Sequence, residues 1–367
     1  MSAPIHLVRP EIRAERAYRV PTTLAVDAKV DQNESPYDLP EPIKRAALDA
    51  FAATPWNRYP DDRPHRLVAA LEAANDVPPG SVIVGRGSNE LSHTLGLCFL
   101  ERDTPVVLPS PMFALYASVA RMHGADVVDV PAGRDLRHDP DAILSAARRS
   151  GAPLTIVTTP NNPTGQTIDH ADLERLAEGV PGVLVIDEAY HEFLDGPTAG
   201  DLVRQFDNVL VMRTFSKAFG LAGVRLGVLM GHPDLIAEIE KSRLPFLVGR
   251  LGEEVGLAIL DCPDLVAERV AELVAEREAM ETWLDGLDGV EVLPGAANFF
   301  LVRTPLPAAE LIRQMAEQGV MIRDVTGYPA LAAQDGLPGW SRISVGAPAE
   351  NRVVRAALAA VLGVSTD

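Results

Sequence analysis

Lysine is scarce in this chain. Four lysines stand beside an otherwise arginine-based positive charge, and one of them, Lys217, lies in Thr-Phe-Ser-Lys-Ala-Phe-Gly-Leu-Ala-Gly-Val-Arg over residues 214–225. An amine can become neutral and attack a carbonyl, which a guanidinium cannot do. Thr214 and Ser216 supply hydroxyls just before the lysine and Arg225 a fork of donors just after it, a combination that grips phosphate. Small and apolar neighbours lower a lysine pKa by desolvation. A lysine of that kind beside a phosphate grip is what pyridoxal phosphate needs for its Schiff base. The plainer alternative is a surface lysine in a Gly-rich turn after a strand over 208–212.

Three further segments add complementary groups. Asp187 closes the apolar run 182–186 and begins Asp-Glu-Ala-Tyr, so its carboxylate is expected at the carboxyl end of a parallel strand, where ligands of open α/β sheets collect. A carboxylate against a pyridine nitrogen keeps that nitrogen protonated and lets the ring accept electrons; a helix N-cap or a surface acid is the other reading. Tyr190 could point the same way and donate to the cofactor's phenolic oxygen. Asn162, in Asn-Asn-Pro-Thr-Gly after the strand 154–158, could hold that oxygen from the opposite side, although an Asn-Pro turn is most often only a turn. Gly85-Arg-Gly-Ser-Asn-Glu follows the strand 81–84 and opens an apolar helix, so the backbone donors of Gly87, Ser88 and Asn89 can cradle an anion. A plain Ser-capped helix is the alternative there. The third glycine of a dinucleotide fingerprint and the residues of a Walker A loop are both missing.

The elements that must position these groups read as an α/β fold. Short β-branched runs at 81–84, 105–108, 125–130, 154–158, 183–186, 208–212 and 224–230 alternate with amphipathic stretches such as 139–149 and 171–178, the rhythm of a mostly parallel sheet flanked by helices. After Asp234 the pattern changes to long helices at 235–242 and 265–287. Strands near 290–293, 298–303, 320–323 and 341–345 and helices over 308–318 and 349–362 then suggest a smaller α+β domain. The expected division is an arm over 1–47, irregular until a helix near Glu41 and packed on the rest of the fold or on a second subunit, a large domain over 48–255, and a small domain over 256–367.

Composition excludes several classes. With 367 residues, 47% of them hydrophobic, the chain can bury a sizeable core over about two domains. A formal net charge of -18 repels nucleic acid and anionic membranes, so an anionic ligand needs a local arginine pocket. Cys98, Cys262 and the eight histidines show no disulfide framework and no metal-ligand spacing. The N-terminal residues lack an apolar stretch followed by a cleavage site, and no apolar run approaches the ~20 residues that span a bilayer. A cytoplasmic protein is expected.

Taken in order, the four segments resemble the class I/II aminotransferases of the fold-type I pyridoxal-phosphate enzymes, over nearly the whole chain. Asp31-Gln-Asn-Glu-Ser-Pro-Tyr37, Asn57-Arg-Tyr-Pro-Asp61, Gly319-Val-Met-Ile-Arg-Asp324 and Arg342-Ile-Ser-Val-Gly346 are similar to the histidinol-phosphate aminotransferase branch. The resemblance implies that Lys217 forms the Schiff base and shuttles the α-proton, that Asp187 pairs with the pyridine nitrogen, and that Asn162 and Tyr190 contact the ring oxygen. It assigns the phosphate to Ser88, Asn89, Thr214, Ser216 and Arg225. Tyr59 of a neighbouring subunit reaches the same phosphate, which requires a homodimer. Phe113, which alone reads as core, matches the aromatic that stacks on the ring.

On the substrate side, Arg342 matches the arginine that takes a carboxylate in general aminotransferases. In the histidinol-phosphate branch Arg323 and Tyr18 join it around a phosphate ester; two arginines suit a dianion. One departure stands out: Leu247 and Gly249 replace the asparagines of the branch, in a loop expected to border the substrate. The implied reaction moves an amino group between L-histidinol phosphate and 2-oxoglutarate. An aromatic aminotransferase, a lyase resembling threonine-phosphate decarboxylase, and a cofactor-binding protein without turnover are the competing readings.

Overall fold

The computed structural model describes residues 3–17 and 26–365. Two large sheets organise it, together with a two-stranded one to which the short strand β1 (Ala28–Lys29) belongs. The central sheet contains β2 (Val82–Gly85), β3 (Pro105–Ser110), β4 (Asp126–Pro131), β5 (Leu154–Thr158), β6 (Val183–Asp187), β7 (Val209–Thr214) and β8 (Gly227–Gly231) in the order β2-β8-β7-β6-β5-β3-β4. All neighbours are parallel except β8, which runs antiparallel to both β7 and β2. The inner strands are uninterrupted apolar runs because helices cover both faces of a parallel sheet; β5 is buried along its whole length. Val185, Ile186, Leu210 and Val211 are each fully buried.

The second sheet is antiparallel, ordered β12-β13-β10-β9 from β9 (Glu291–Leu293), β10 (Phe299–Arg303), β12 (Arg323–Asp324) and β13 (Ser341–Ser344). Phe299, Phe300 and Leu301 of β10 are buried; the helix Pro263–Asp285 packs against this strand, while Leu301 joins Leu136, Val325, Leu331 and Trp340 in a separate apolar cluster. The segment expected as one strand over 320–323 is two: β11 (Val320–Met321) pairs with β1, whereas β12 pairs with β13. Different partners on either side of Ile322 account for the break.

Two other expectations need correction. The strand expected to start at Val224 starts at Gly227, because Arg225 has a φ of 63° and completes a turn instead of extending the ladder. The stretch before Glu41 is not wholly irregular, since Pro10–Ala14 is a short helix with proline at its first position. That helix is tied to the helix Leu115–His123 through Arg9, which donates to the Met122 carbonyl at 2.7 Å, and Glu15, which accepts from Ser118 at 2.8 Å. No helix among the described residues is long and apolar enough to cross a membrane.

Candidate active site

Three adjacent parallel strands end at one edge of the central sheet, and the chemistry collects there. In register, Thr158 of β5 faces Asp187 of β6, and Asp187 faces Met212 of β7. Asn162 follows β5, Asp187 ends β6, and Thr214 ends β7, so three segments distant in sequence are neighbours by strand order alone. Above this edge lies a cavity of about 1160 Å³ lined by Ser88, Asn89, Phe113, Asn162, Asp187, Tyr190, Thr214, Ser216, Lys217, Arg225, Arg323 and Arg342.

One end of the cavity is a cradle of donors. The helix Ser88–Phe99 begins at it, with Gly87 as N-cap at a φ of 79°. A side chain at Gly87 would come within 2.4 Å of Arg225 Nη2, so glycine both permits the turn and leaves room for the guanidinium. Gly227 is equally confined, since a Cβ there would sit 2.4 Å from the Ser88 backbone nitrogen. Arg225 Nη1 donates to Ser216 Oγ at 3.3 Å and to the Ala222 carbonyl at 3.1 Å, and Thr214 Oγ1 donates to Ser216 Oγ at 3.0 Å. Helix N-terminus, hydroxyls and guanidinium converge as a phosphate group requires.

The middle of the cavity holds the titrating groups. Lys217 Nζ donates to the Gln32 carbonyl at 3.0 Å and stands 5.8 Å from the centre of the Tyr190 ring. Burial, helped by the positive charge of Arg342, pushes its pKa down to about 7, which leaves much of the amine neutral near pH 7. Asp187 Oδ2 accepts from Tyr116 Oη at 2.6 Å and Oδ1 accepts from the Ala189 backbone at 3.0 Å. Burial raises this carboxyl to about 6. The Tyr190 phenol is pushed up to about 12 by burial, so it keeps its proton. Beneath, Glu188 accepts from Arg213 and from the Ala199 backbone, which steadies the turn after β6.

At the far end, Arg323 and Arg342 are direct cross-strand partners between β12 and β13. Arg342 is buried, donating to Asn162 Oδ1 at 2.5 Å and to the Asp31 carbonyl at 2.8 Å. Burial first, then the neighbouring Arg323, lowers its pKa. Like charges placed opposite each other on a sheet are unfavourable, and an anion between them removes the penalty.

The expected residues are thus brought together with three exceptions. Gly87 lies behind the cradle, where its role is steric. Tyr59 is 79% exposed and stacks on Phe246 with ring centres 4.7 Å apart, away from the cavity. Tyr18 falls outside the described residues. The loop over 244–250, expected to border the substrate, contributes nothing to the cavity lining within this chain, because Phe246 packs on Tyr59 at the exposed edge. Sequence reasoning missed Tyr116, although it stands one helical turn from Phe113, and it left Gln32 and Asn33 without a role. Among the described residues no cluster of His, Cys, Asp and Glu could hold a metal.

Three parallel strands ending at one sheet edge, a cradle of donors suited to phosphate and a lysine of depressed pKa define a class of protein, and similarity gives it a family. Residues 28–361 match the family of aminotransferases of class I and II, and the chain belongs to it. The histidinol-phosphate aminotransferase of Chlorobaculum tepidum is 38% identical over 325 residues, covering 89% of this chain and 93% of that one. The crystal structure of histidinol-phosphate aminotransferase from Sinorhizobium meliloti, in complex with pyridoxal-5'-phosphate, matches with a TM-score of 0.84 at 27% identity, over 96% of this chain and 97% of that one. The L-threonine-O-3-phosphate decarboxylase of Porphyromonas gingivalis shares the fold, with a TM-score of 0.78 at 24% identity over 92% of this chain and 99% of that one.

Proposed function

We propose that this aminotransferase uses pyridoxal 5'-phosphate to convert L-histidinol phosphate and 2-oxoglutarate into imidazole acetol phosphate and L-glutamate. The relatives named for this reaction support the assignment, and the observation that carries it is the facing pair Arg323 and Arg342 at the cavity end opposite the cradle. One phosphate grip suffices for the cofactor; a second concentration of positive charge suits a substrate that is itself a phosphate ester.

The donor set fits the cofactor. Ser88, Asn89, Thr214, Ser216 and Arg225 are assigned to its phosphate, Asp187 to its ring nitrogen, Asn162 and Tyr190 to its phenolic oxygen, and Phe113 to its ring face. Once bound, it supplies an aldehyde for amine exchange and an electron sink for the substrate α-carbon. A protonated ring nitrogen beside Asp187 would hold it ionised and offset the upward pull of its burial. Lys217 Nζ, neutral in part near pH 7, would be the amine that holds the aldehyde carbon, with water released, and the base that takes and returns the substrate α-proton. Arg342 and Arg323 orient the substrate anion so that this proton faces Lys217.

The homodimer belongs to the same proposal. Trp56, Tyr59, Leu244 and Phe246 are exposed apolar side chains, a grouping that suits a subunit contact, and Tyr59 would then reach the partner's phosphate. The same reading keeps an arm over 1–47, a large domain over 48–255 that would carry the seven-stranded sheet and a small one over 256–367 that would carry the four-stranded sheet. A cytoplasmic setting accords with two free cysteines.

The test is the visible absorption band of the purified protein loaded with cofactor. L-Histidinol phosphate alone is expected to bleach it and 2-oxoglutarate to restore it, while Lys217→Ala loses turnover by on the order of 10⁴-fold or more. A band that responds to other amino donors but ignores this one overturns the substrate assignment. Carbon dioxide release from phosphothreonine without an oxo acid would replace the reaction by decarboxylation.

A further inference from the structure

The segment 31–33 touches three of the groups just assigned, yet none of its own residues has a place in that assignment. The Asp31 carbonyl accepts from Arg342 at 2.8 Å and the Gln32 carbonyl accepts from Lys217 at 3.0 Å. Asn33 Nδ2 donates to Tyr190 Oη at 2.9 Å. Backbone atoms supply the first two contacts, so only the third depends on a side-chain identity.

Asn33 is held more firmly than a loop residue needs to be. Its backbone nitrogen donates to Ser344 Oγ at 2.9 Å, Ser344 Oγ donates to Asn33 Oδ1 at 2.8 Å, and the Asn33 carbonyl accepts from Asn298 Nδ2 at 3.2 Å. The residue is 1% exposed and has a φ of 54°, a conformation that asparagine tolerates better than most side chains. Ser344 has a single proton, and the amide receives it on Oδ1. The Nδ2 group must therefore face Tyr190, and it can only donate.

We propose that Asn33 is a positioning residue that sets the hydrogen-bond polarity of Tyr190: by donating to the phenol oxygen, it obliges the phenol proton to point into the cavity. This rests on the assignment of Tyr190 to the phenolic oxygen of the cofactor. A phenol that already accepts from Asn33 donates its own proton elsewhere, and the cofactor oxygen is the acceptor offered. Ser344 lies two residues after Arg342 on β13 and so shares its face of the strand. The same short strand that presents Arg342 to the substrate therefore anchors the amide that orients Tyr190.

The experiment follows the pH midpoint of the visible band of the cofactor-loaded protein, which rises when its phenolic oxygen loses a hydrogen bond. Tyr190→Phe sets the reference. Asn33→Asp keeps an acceptor for Ser344 but offers Tyr190 an acceptor in place of a donor. It is expected to raise the midpoint by about one pH unit, the scale of one charge-assisted hydrogen bond. Asn33→Gly, which preserves the positive φ, shifts it in the same direction by less. The double variant Asn33→Asp with Tyr190→Phe shifts no further than Tyr190→Phe alone. An unchanged midpoint in both Asn33 variants, with Tyr190→Phe shifted, overturns the proposal. A wild-type protein that takes up no cofactor overturns the reading beneath it as well. Should the Asn33 variants fail to hold cofactor, Ser344→Ala decides: a raised midpoint supports the relay, and an unchanged one ends it. Melting of the cofactor-free variants at the wild-type temperature separates this polarity effect from loss of fold.

Discussion

The cradle and the arginine pair, the two anion sites proposed for one cavity, are assembled differently. Thr214, Ser216 and Arg225 lie within one turn-and-strand stretch, and the helix Ser88–Phe99 meets them because β2 and β7 both flank β8. The arginine end depends on contacts between remote segments. Arg342 is held by the Asp31 carbonyl across 311 residues of sequence and by Asn162 across 180. A grip built on the edge of one sheet is fixed once that sheet forms. A grip built between sheets can change its ligand without disturbing the first.

Removing one arginine from each end is the largest test of this contrast. Arg225→Leu is expected to weaken cofactor binding by about 10²-fold, the scale of a charge-assisted contact to phosphate. Arg342→Leu is expected to lower kcat/KM for L-histidinol phosphate by a similar factor while cofactor affinity stays near that of the wild type. Equilibrium titration with cofactor and steady-state kinetics measure the two separately. If Arg342→Leu also sheds the cofactor, the two ends act as one unit and the contrast fails.

The same division explains what could be read before the structure. The cradle was legible because each part is a local pattern: strand then Gly-Arg-Gly-Ser-Asn, strand then Thr-Phe-Ser-Lys. Asp187 was legible because an acid that ends a buried apolar run has few places to stand. Arg323 and Arg342 carry no local signal and would have been taken for strand-end surface residues without the family pattern. Their pairing arises from β12 and β13 meeting, and the break at Ile322 that permits it depends on β1, far away in the chain. Tyr116 escaped notice for a related reason. A tyrosine on the apolar face of a helix reads as core, and only the β6 edge beneath it makes its hydroxyl a partner of Asp187.

Tyr116 allows a smaller test within the cradle half of the molecule. Its hydroxyl is one of two donors to a buried carboxylate, the other being the Ala189 backbone. Tyr116→Phe removes one donor and leaves the ring in place, so Asp187 is less well held in its ionised form and its pKa rises further. Cofactor affinity is expected to fall by about 10-fold, with KM for the amino donor little changed. A fall in donor affinity without any loss of cofactor would place Tyr116 with the arginine end and break the contrast.

The smallest effect concerns stability in the absence of cofactor. Lys217 has its pKa lowered to about 7 in the fold, against an unfolded value near 10.4. Between those values the unfolded chain binds more protons than the folded one, so the lysine's contribution to stability rises with pH. Below about pH 7 both states carry the proton and the penalty for holding a cation in the cavity is at its full size. Lys217→Met removes the titration. The melting temperature of the cofactor-free wild type, measured relative to this variant, should therefore rise by about four degrees between pH 7 and pH 10. Asp187 titrates below this window, between its unfolded value and about 6, and its raised pKa acts in the opposite sense, so it does not imitate the effect. A difference that stays flat across the window would mean that the amine keeps its proton without cofactor, with the Gln32 carbonyl offsetting the desolvation.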